Sequence, residues 1–465
     1  MNARTRSATA LALAISLAAT ATATAGGMVL PTRGVRTTAR GGAFVAGADD
    51  LGALGFNPAG LAHLAVRGSE KHRLHDSLLI DAAFVKQAVT YTRINSGGGT
   101  EPTVDSTSPG LAIPTIGYAH GLTERLVIAA GIFAPYAGLT KFAEDGPARY
   151  SSIDLSKSLL VVAALGVGFK LSDKVRLGAT LENMVFMLSS SVIFAGCPGE
   201  TVCAPEDPEF DALTQVTMND YLSPSGSVGA QVDLHRLVTA GVSFHGPFKI
   251  GGKGKVQTRL PSSGFYDGAS VEGDRVDVAF TLPASFRAGV EVHPGRWKFE
   301  AAVDVELWKE HDEMAITPKG VRIVNAAGVG TYVLSPIVIP RHYKNSVAGS
   351  FGIEGQPVSH LPLRVLAGYT YETAAAPDAY LSTLTVDGNK QAFSVGGGYA
   401  FGRWQLDAML SFFKMKDRTV TPDVGLAPQL SPIRDTSTDP LNVYVNWGTY
   451  KASWLAAGLG VTTAW

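Results

Sequence analysis

Three groupings of residues are of types that do chemistry. In "GVSFHG", Ser243 and His245 stand two apart, so a strand would aim both at one face. A hydroxyl beside an imidazole is the start of a nucleophilic hydrolase site. The G-x-S-x-G elbow is missing and no convincing third member accompanies the pair, so the chain is expected not to be an enzyme. His63, His72 and His75 offer imidazole ligands, but they are scattered and lack the partners of a zinc motif. No metal and no cofactor is expected. Cys197 and Cys203, the only two cysteines, have five residues between them in the Pro/Gly-rich run "GCPGETVCAPED". In an oxidising compartment they read as a disulfide closing a loop; the alternative is half of a metal site.

The remaining chemistry is charge. Basic residues turned inward by the alternation described below are Lys170, Arg176, Arg287, Lys298 and Arg364. A buried cation can hold a carboxylate cargo. It can equally pair with Glu182, Glu291, Glu300, Asp304 and Glu306 in a structural network, which is the stronger expectation. The choice depends on the elements that carry these residues.

Those elements are exported. Arg4 and Arg6 precede the apolar run "ATALALAISLAA", and the small-x-small "ATA" ends at Ala25. This is a signal peptide over residues 1–25, because the apolar run is shorter than the roughly 20 residues of a spanning helix. Its removal shifts the formal charge from −1 to −3, which points away from nucleic acid. Hydrophobic residues make up 46% of the chain, yet none of the mature sequence offers a long unbroken apolar stretch. A helical membrane protein concentrates its apolar residues, and a barrel spreads them through short segments.

Residues 26–70 are Gly- and Ala-rich, with turns rather than long alternation, and read as a compact segment. From residue 71 to 465 the period becomes two. In "WKFEAAVDVELWKE", Trp297, Phe299, Ala301, Val303 and Val305 alternate with Lys298, Glu300, Asp304 and Glu306. Similar runs recur in "VRLGATLENMVFML", "SVAGSFGIEGQ" and "WQLDAMLSFF". Such strands have one apolar and one polar face. Their length, the aromatics Trp297, Trp404, Trp447, Trp454 and Trp465 near strand ends, and connections that alternate between short and long favour lipid on the apolar face. Lipid cannot hydrogen-bond, so the sheet must close. Six short turns and seven long loops join fourteen antiparallel strands, with expected spans that include 222–234, 236–258, 274–292, 296–317 and 343–356. The fold class is an all-β transmembrane barrel in the bacterial outer membrane. A terminal strand ending on the aromatic Trp465 resembles the signal read by the barrel-assembly machinery.

At the N-terminal segment the match becomes specific. "ARGGAF" at Ala39–Phe44, "ADD" at Ala48–Asp50 and "NPA" at Asn57–Ala59 resemble the hatch of the FadL/TodX family of outer-membrane transporters of hydrocarbons and fatty acids. "FAPYAGLTKF", "TLPASFRAGVEV" and "FSVGGGYAFG" are similar to later family segments. The resemblance implies a fourteen-stranded barrel, the count that the alternation also gives, with an N-terminal hatch in its lumen. It implies energy-independent diffusion of hydrophobic molecules (long-chain fatty acids, alkanes or aromatic hydrocarbons) past a hatch that rearranges, with Gly41, Gly42, Phe44, Asp49, Asp50, Asn57, Pro58 and Ala59 in the hatch. It also implies a kinked third strand at Ala134, Pro135 and Tyr136 that opens a lateral window to lipid. Proline fits there because it cannot donate to the ladder. Leu160 and Val162 belong to a strand apolar on both faces, which suits either a greasy lumenal pocket or packing against the hatch. Candidate cargo-facing residues are therefore Leu160, Val162, Arg287, Lys298 and Arg364. The expected partners are a hydrophobic cargo, outer-membrane lipid and lipopolysaccharide, with the chain a monomer. The rival reading is a general aqueous porin or a structural barrel.

Overall fold

Burial along the first strand shows why the sheet forms and what surrounds it. In β1 (Asp76–Arg93) buried and exposed residues alternate, but with inverted chemistry. Ile80 and Phe84 are exposed, while Asp81, Gln87 and Arg93 are buried. The inversion recurs round the sheet: Leu165, Leu181, Phe351 and Leu459 face out, and Arg176, Glu182, Arg287 and Glu300 face in. An apolar belt of this kind is stable against acyl chains and costly against water.

The computed structural model describes residues 34–66, 75–199, 202–327, 330–433 and 443–465. The signal peptide expected over 1–25, residues 26–33 and 67–70 of the expected N-terminal segment, and His72 lie outside the described residues. After β1 come β2 (Leu111–Gly121), β3 (Leu126–Ala137), β4 (Leu159–Lys170), β5 (Val175–Ala195) and β6 (Asp211–His235). Four staves follow in two pieces each: β7 (Val238–His245 and Phe248–Arg259), β8 (Arg275–Leu282 and Ser285–Val292), β9 (Trp297–Glu306 and Glu313–Pro318) and β10 (Ile337–Pro340 and Ser346–Gly355). The last are β11 (Leu363–Glu372), β12 (Lys390–Phe401), β13 (Trp404–Met415) and β14 (Gly448–Ala464). Each stave pairs antiparallel with its neighbours, and β14 closes onto β1 from Ser77↔Ala464 to Arg93↔Gly448. The result is a closed barrel of fourteen strands. Trp465 completes the seam: its carbonyl accepts from the N–H groups of His75 and Asp76 at 3.0 Å.

Several details differ from the expected spans. β6 starts at Asp211 rather than 222, because "DALTQVTMND" keeps a strict two-residue period, with every second residue buried. β7 breaks at Gly246–Pro247 and β8 at Pro283–Ala284, where proline withholds an N–H. β9 breaks at a 3₁₀ turn (Trp308–Glu310) that buries Trp308 completely. The long connections expected to be irregular at 259–273 and 318–342 contain a small three-stranded sheet of Ser270–Glu272, Arg322–Ala326 and Gly330–Val333. Trp454 is not part of an interfacial girdle. It shares the inward parity of Tyr450 and Ala456 and packs into the interior. Cys197 and Cys203 form a disulfide in the β5–β6 connection.

The lipid assignment predicts that Leu165→Arg, which places a charge on the outer face of β4, destabilises the barrel by roughly 2–4 kcal/mol near the bilayer midplane. Urea titration of protein folded into lipid vesicles measures this. A cost within about 0.5 kcal/mol, as at an ordinary aqueous surface, would contradict the assignment.

Candidate functional site

Residues 34–66 lie inside the barrel. A short helix, α1 (Val35–Ala39), and two 3₁₀ turns, Leu51–Gly55 and Pro58–Leu64, carry the segment across the lumen. Local chemistry sets these bends. Gly41 and Gly42 take φ of 63° and 78°, a left-handed conformation that reverses the chain after α1. Asp50 caps the first 3₁₀ turn by accepting from the Gly52 N–H at 2.8 Å. Asn57 caps the second by accepting from Ala59 N–H at 3.2 Å, with Pro58 in the first helical position. The Asn57 amide also donates to Val45 O at 2.9 Å and to Ala230 O of β6 at 3.2 Å. It therefore ties the turn both to itself and to the wall.

The wall accepts this segment because glycines pave its inner face. A Cβ at Gly168 of β4 would stand 2.5 Å from the Ala62 nitrogen, and one at Gly241 of β7 would stand 2.6 Å from Val45 O. Gly178, Gly352 and Gly368 likewise meet backbone of Pro58, Arg40 and Gly41. Wall and segment thus touch main chain to main chain.

Charge then locks the contact. Arg40, fully buried, donates to Glu291 of β8 at 2.6 Å, to Glu300 of β9 at 2.8 Å and to Glu354 of β10 at 3.2 Å. Arg36, one helical turn away, is bidentate on Glu354 at 2.9 Å and also holds Asp50 at 2.8 Å and Asp49. Lys298 reaches Asp49 at 2.7 Å, and Arg364 bridges Glu354 and Asp407 at 3.0 and 2.7 Å. Burial alone would raise the Asp49 carboxyl, but Arg36 and Lys298 beside it hold it well below its usual range, so it stays ionised. The Glu300 carboxylate also accepts the N–H groups of Val45, Ala46 and Gly47 at 2.7, 2.8 and 3.1 Å. Phe44 sits beneath both guanidinium groups, at 5.2 and 5.4 Å.

The sequence candidates are distributed unevenly over this arrangement. Lys298 and Arg364 are in the network, whose centres, Arg36 and Arg40, sequence reasoning passed over. Two arginines four apart in an otherwise uncharged stretch were the available signal. Arg176 pairs with Asp233, and Lys170 lies at a turn beside Asp173. Ser243 donates to Phe56 O at 2.7 Å, while His245 faces Glu182 at 2.8 Å. His63 meets Gln231 at 3.1 Å, and His75 stacks on His120.

Arg287 stands apart, in a cavity of about 110 Å³ between the segment and the wall of β8–β13. Val45 and Phe56 of the segment line it, with Asp304, Glu306 and Glu372 from the wall. Ala392 and Phe413 also line it, and they join Val85, Ala456, Ile113 and Ala134 in one buried apolar cluster. That cluster runs along the inner wall to β2 and β3.

There the ladder stops. β2 and β3 pair from Gly121↔Val127 only as far as Ile116↔Ile132. Residues 111–115 of β2 remain on β1 alone. β3 bends toward β4, with one extra residue between Phe133↔Val162 and Tyr136↔Leu160. The bend is at Ala134–Pro135. Pro114 on the facing strand, a signal missed in the sequence, also lacks an N–H. Loops close the gap above, where Thr107 N–H donates to Lys141 O at 2.8 Å. Its inner edges are apolar: Ile113 of β2 and Phe133 and Tyr136 of β3 are buried, and Leu160 and Val162 of β4 are buried behind them.

The charge network predicts that Arg40→Met costs about 3–5 kcal/mol, because three carboxylates lose a shared buried cation. The measurement is leak current through the barrel in planar bilayers as denaturant is added. The variant should leak at lower urea than the parent, and coincident curves would contradict the role given to Arg40.

Known proteins with this architecture are similar throughout. A Pseudomonas aeruginosa FadL homologue superposes with a TM-score of 0.75 at 16% identity, covering 94% of this chain and 99% of that one. The P. putida toluene transporter TodX gives 0.62 at 17% identity, covering 94% and 99%. The Ralstonia pickettii toluene transporter TbuX gives 0.61 at 15%, covering 92% and 97%. A comparison with curated proteins finds no match. The sequence matches the model of the outer membrane protein transport protein family (OMPP1/FadL/TodX) over residues 16–444, and the chain belongs to that family of outer-membrane β-barrels that move hydrophobic compounds.

Proposed function

We propose that this chain carries hydrophobic small molecules passively across the outer membrane and releases them sideways into the bilayer. In this reading residues 34–66 are the hatch, the cavity beside Arg287 receives the cargo, and the interruption between β2 and β3 is the exit. The observation that carries the reading is the end of β2–β3 pairing at Ile116↔Ile132, with buried apolar residues on both edges. An aqueous pore gains nothing from a greasy opening in its wall. An apolar solute gains a route that avoids the periplasm. The apolar cluster from Phe413 to Ala134 supplies a path between cavity and opening without exposure to water. Outside, a depression that starts at Ile116 and Ile132 is lined by Leu165, Leu181 and Leu222, a surface on which an apolar molecule can leave. In this scheme the hatch rearranges to admit cargo to the cavity, and side chains along the cluster turn to let it pass.

Removing the bulge tests the route. Deleting Ala134 and changing Pro135→Val restores one-to-one register between β3 and β4 and supplies an N–H toward the gap. Uptake of a radiolabelled alkane by cells carrying the variant should fall at least about tenfold, a loss of roughly 1.4 kcal/mol or more in the rate. Sugar influx in liposome swelling should stay low in both proteins. Unchanged alkane uptake in a folded variant would reject lateral exit, and rapid sugar influx in the parent would favour the porin.

A further inference from the structure

The cavity beside Arg287 is charged in a way that selects its occupant. Arg287 is the only cation among the described residues lining it, against the three carboxylates Asp304, Glu306 and Glu372. That cation is already engaged. Its Nε donates to Asp304 Oδ2 at 2.7 Å, and Nη1 donates to the hatch carbonyls of Gly55 and Phe56 at 3.3 and 3.4 Å. Its guanidinium stacks 5.5 Å over the Phe56 ring. Glu372 is held from behind by Lys390 at 2.7 Å, and Glu306 accepts from the Trp308 indole at 2.7 Å. The second oxygen of Asp304, Oδ1, is buried and accepts no hydrogen bond. An ionised carboxylate placed here would meet a single cation that Asp304 already pairs with, in a lining where carboxylates outnumber cations three to one. An uncharged molecule with one O–H or N–H group would supply the donor that Asp304 Oδ1 lacks, while its apolar body rests on Val45, Phe56 and Phe413.

We propose that this cavity is a binding site for neutral hydrophobes bearing a hydrogen-bond donor, such as long-chain alcohols or phenols, and that it discriminates against fatty-acid anions. The proposal rests on the transport reading above and narrows its cargo. Asp304 does two things at once: its Oδ2 occupies Arg287, and its Oδ1 receives the cargo's donor. Asp304→Asn keeps one acceptor oxygen, so it cannot serve both partners, and it removes the negative charge that neutralises the guanidinium.

The test is uptake of radiolabelled 1-dodecanol, dodecane and dodecanoate at neutral pH by cells whose outer membrane contains the chain, against cells without it. In the parent protein, the chain-dependent uptake of dodecanol should exceed that of dodecanoate at least tenfold, with dodecane between them. In D304N, dodecanol uptake should fall, dodecanoate uptake should rise, and dodecane uptake should stay within about twofold of the parent. A merely structural role for Asp304 would lower all three together and overturn the assignment. Equal or faster uptake of dodecanoate in the parent would overturn the proposal even if the variant fails to assemble. If no probe exceeds the control without the chain, the transport reading itself fails and this inference with it.

Discussion

A backbone amide in hydrocarbon has no partner except another backbone or side-chain group, and leaving it without one costs several kcal/mol. This constraint organises the molecule. It closes fourteen strands into one ladder and brings Ala464 back to Ser77. It also gives meaning to each place where the ladder is interrupted. Between β6 and β7 pairing lapses from Ser227↔His245 to Asn219↔Lys253, but the Asp220 carboxylate sutures the lapse by accepting from Gly251 N–H at 2.9 Å. Between β2 and β3 no such suture is found among the described residues. Pro114 and Pro135 instead reduce the number of donors left over. This interruption of the pairing, with its apolar edges, is the feature on which the proposed exit rests.

The same constraint explains the interior. A polar lumen at membrane depth must be filled or it conducts water and ions. Here it is filled by a segment with few side chains of any size, docked on glycine-paved strands and held by Arg36 and Arg40. Buried ion pairs add little net stability over well-packed apolar residues, since desolvation offsets much of the attraction. Their contribution is register: three acidic residues on three successive strands fit two arginines one turn apart in a single way. The segment therefore has a defined seat, and the cavity beside Arg287 has a defined floor.

Much of this was legible in the sequence because lipid and lumen impose opposite chemistry on alternate residues. Ile80 and Phe84 against Asp81, or Val303 and Val305 against Asp304 and Glu306, reveal both the strand and its faces. The turns and the strand count follow. What was not legible depended on depth and contact rather than on period. The start of β6 was hidden behind the cysteine loop and Pro208, although its alternation was present. Trp454 was assigned to an interface by residue type, when its parity with Tyr450 already turned it inward. Arg40 was passed over because its partners lie more than 250 positions away in the chain, and Arg36 because its partner on the wall, Glu354, lies 318 positions away. Nothing local distinguishes Arg287, which faces a cavity, from Lys298, which faces Asp49 of the segment inside the barrel; both are inward cations on neighbouring strands.

The account stands on passage of an apolar solute along the inner wall from Phe413 to the opening beside Ala134. Photolabelling in native outer membranes tests this most directly, using an alkane that carries a diazirine and mapping the adducts by mass spectrometry. The account predicts adducts on Phe413, Ile113 and Phe133 and on the outward residues Ile116 and Ile132 below the opening. Adducts confined to the short-turn end of the barrel beneath Pro58–Leu64, with none at the β2–β3 edges, would contradict it.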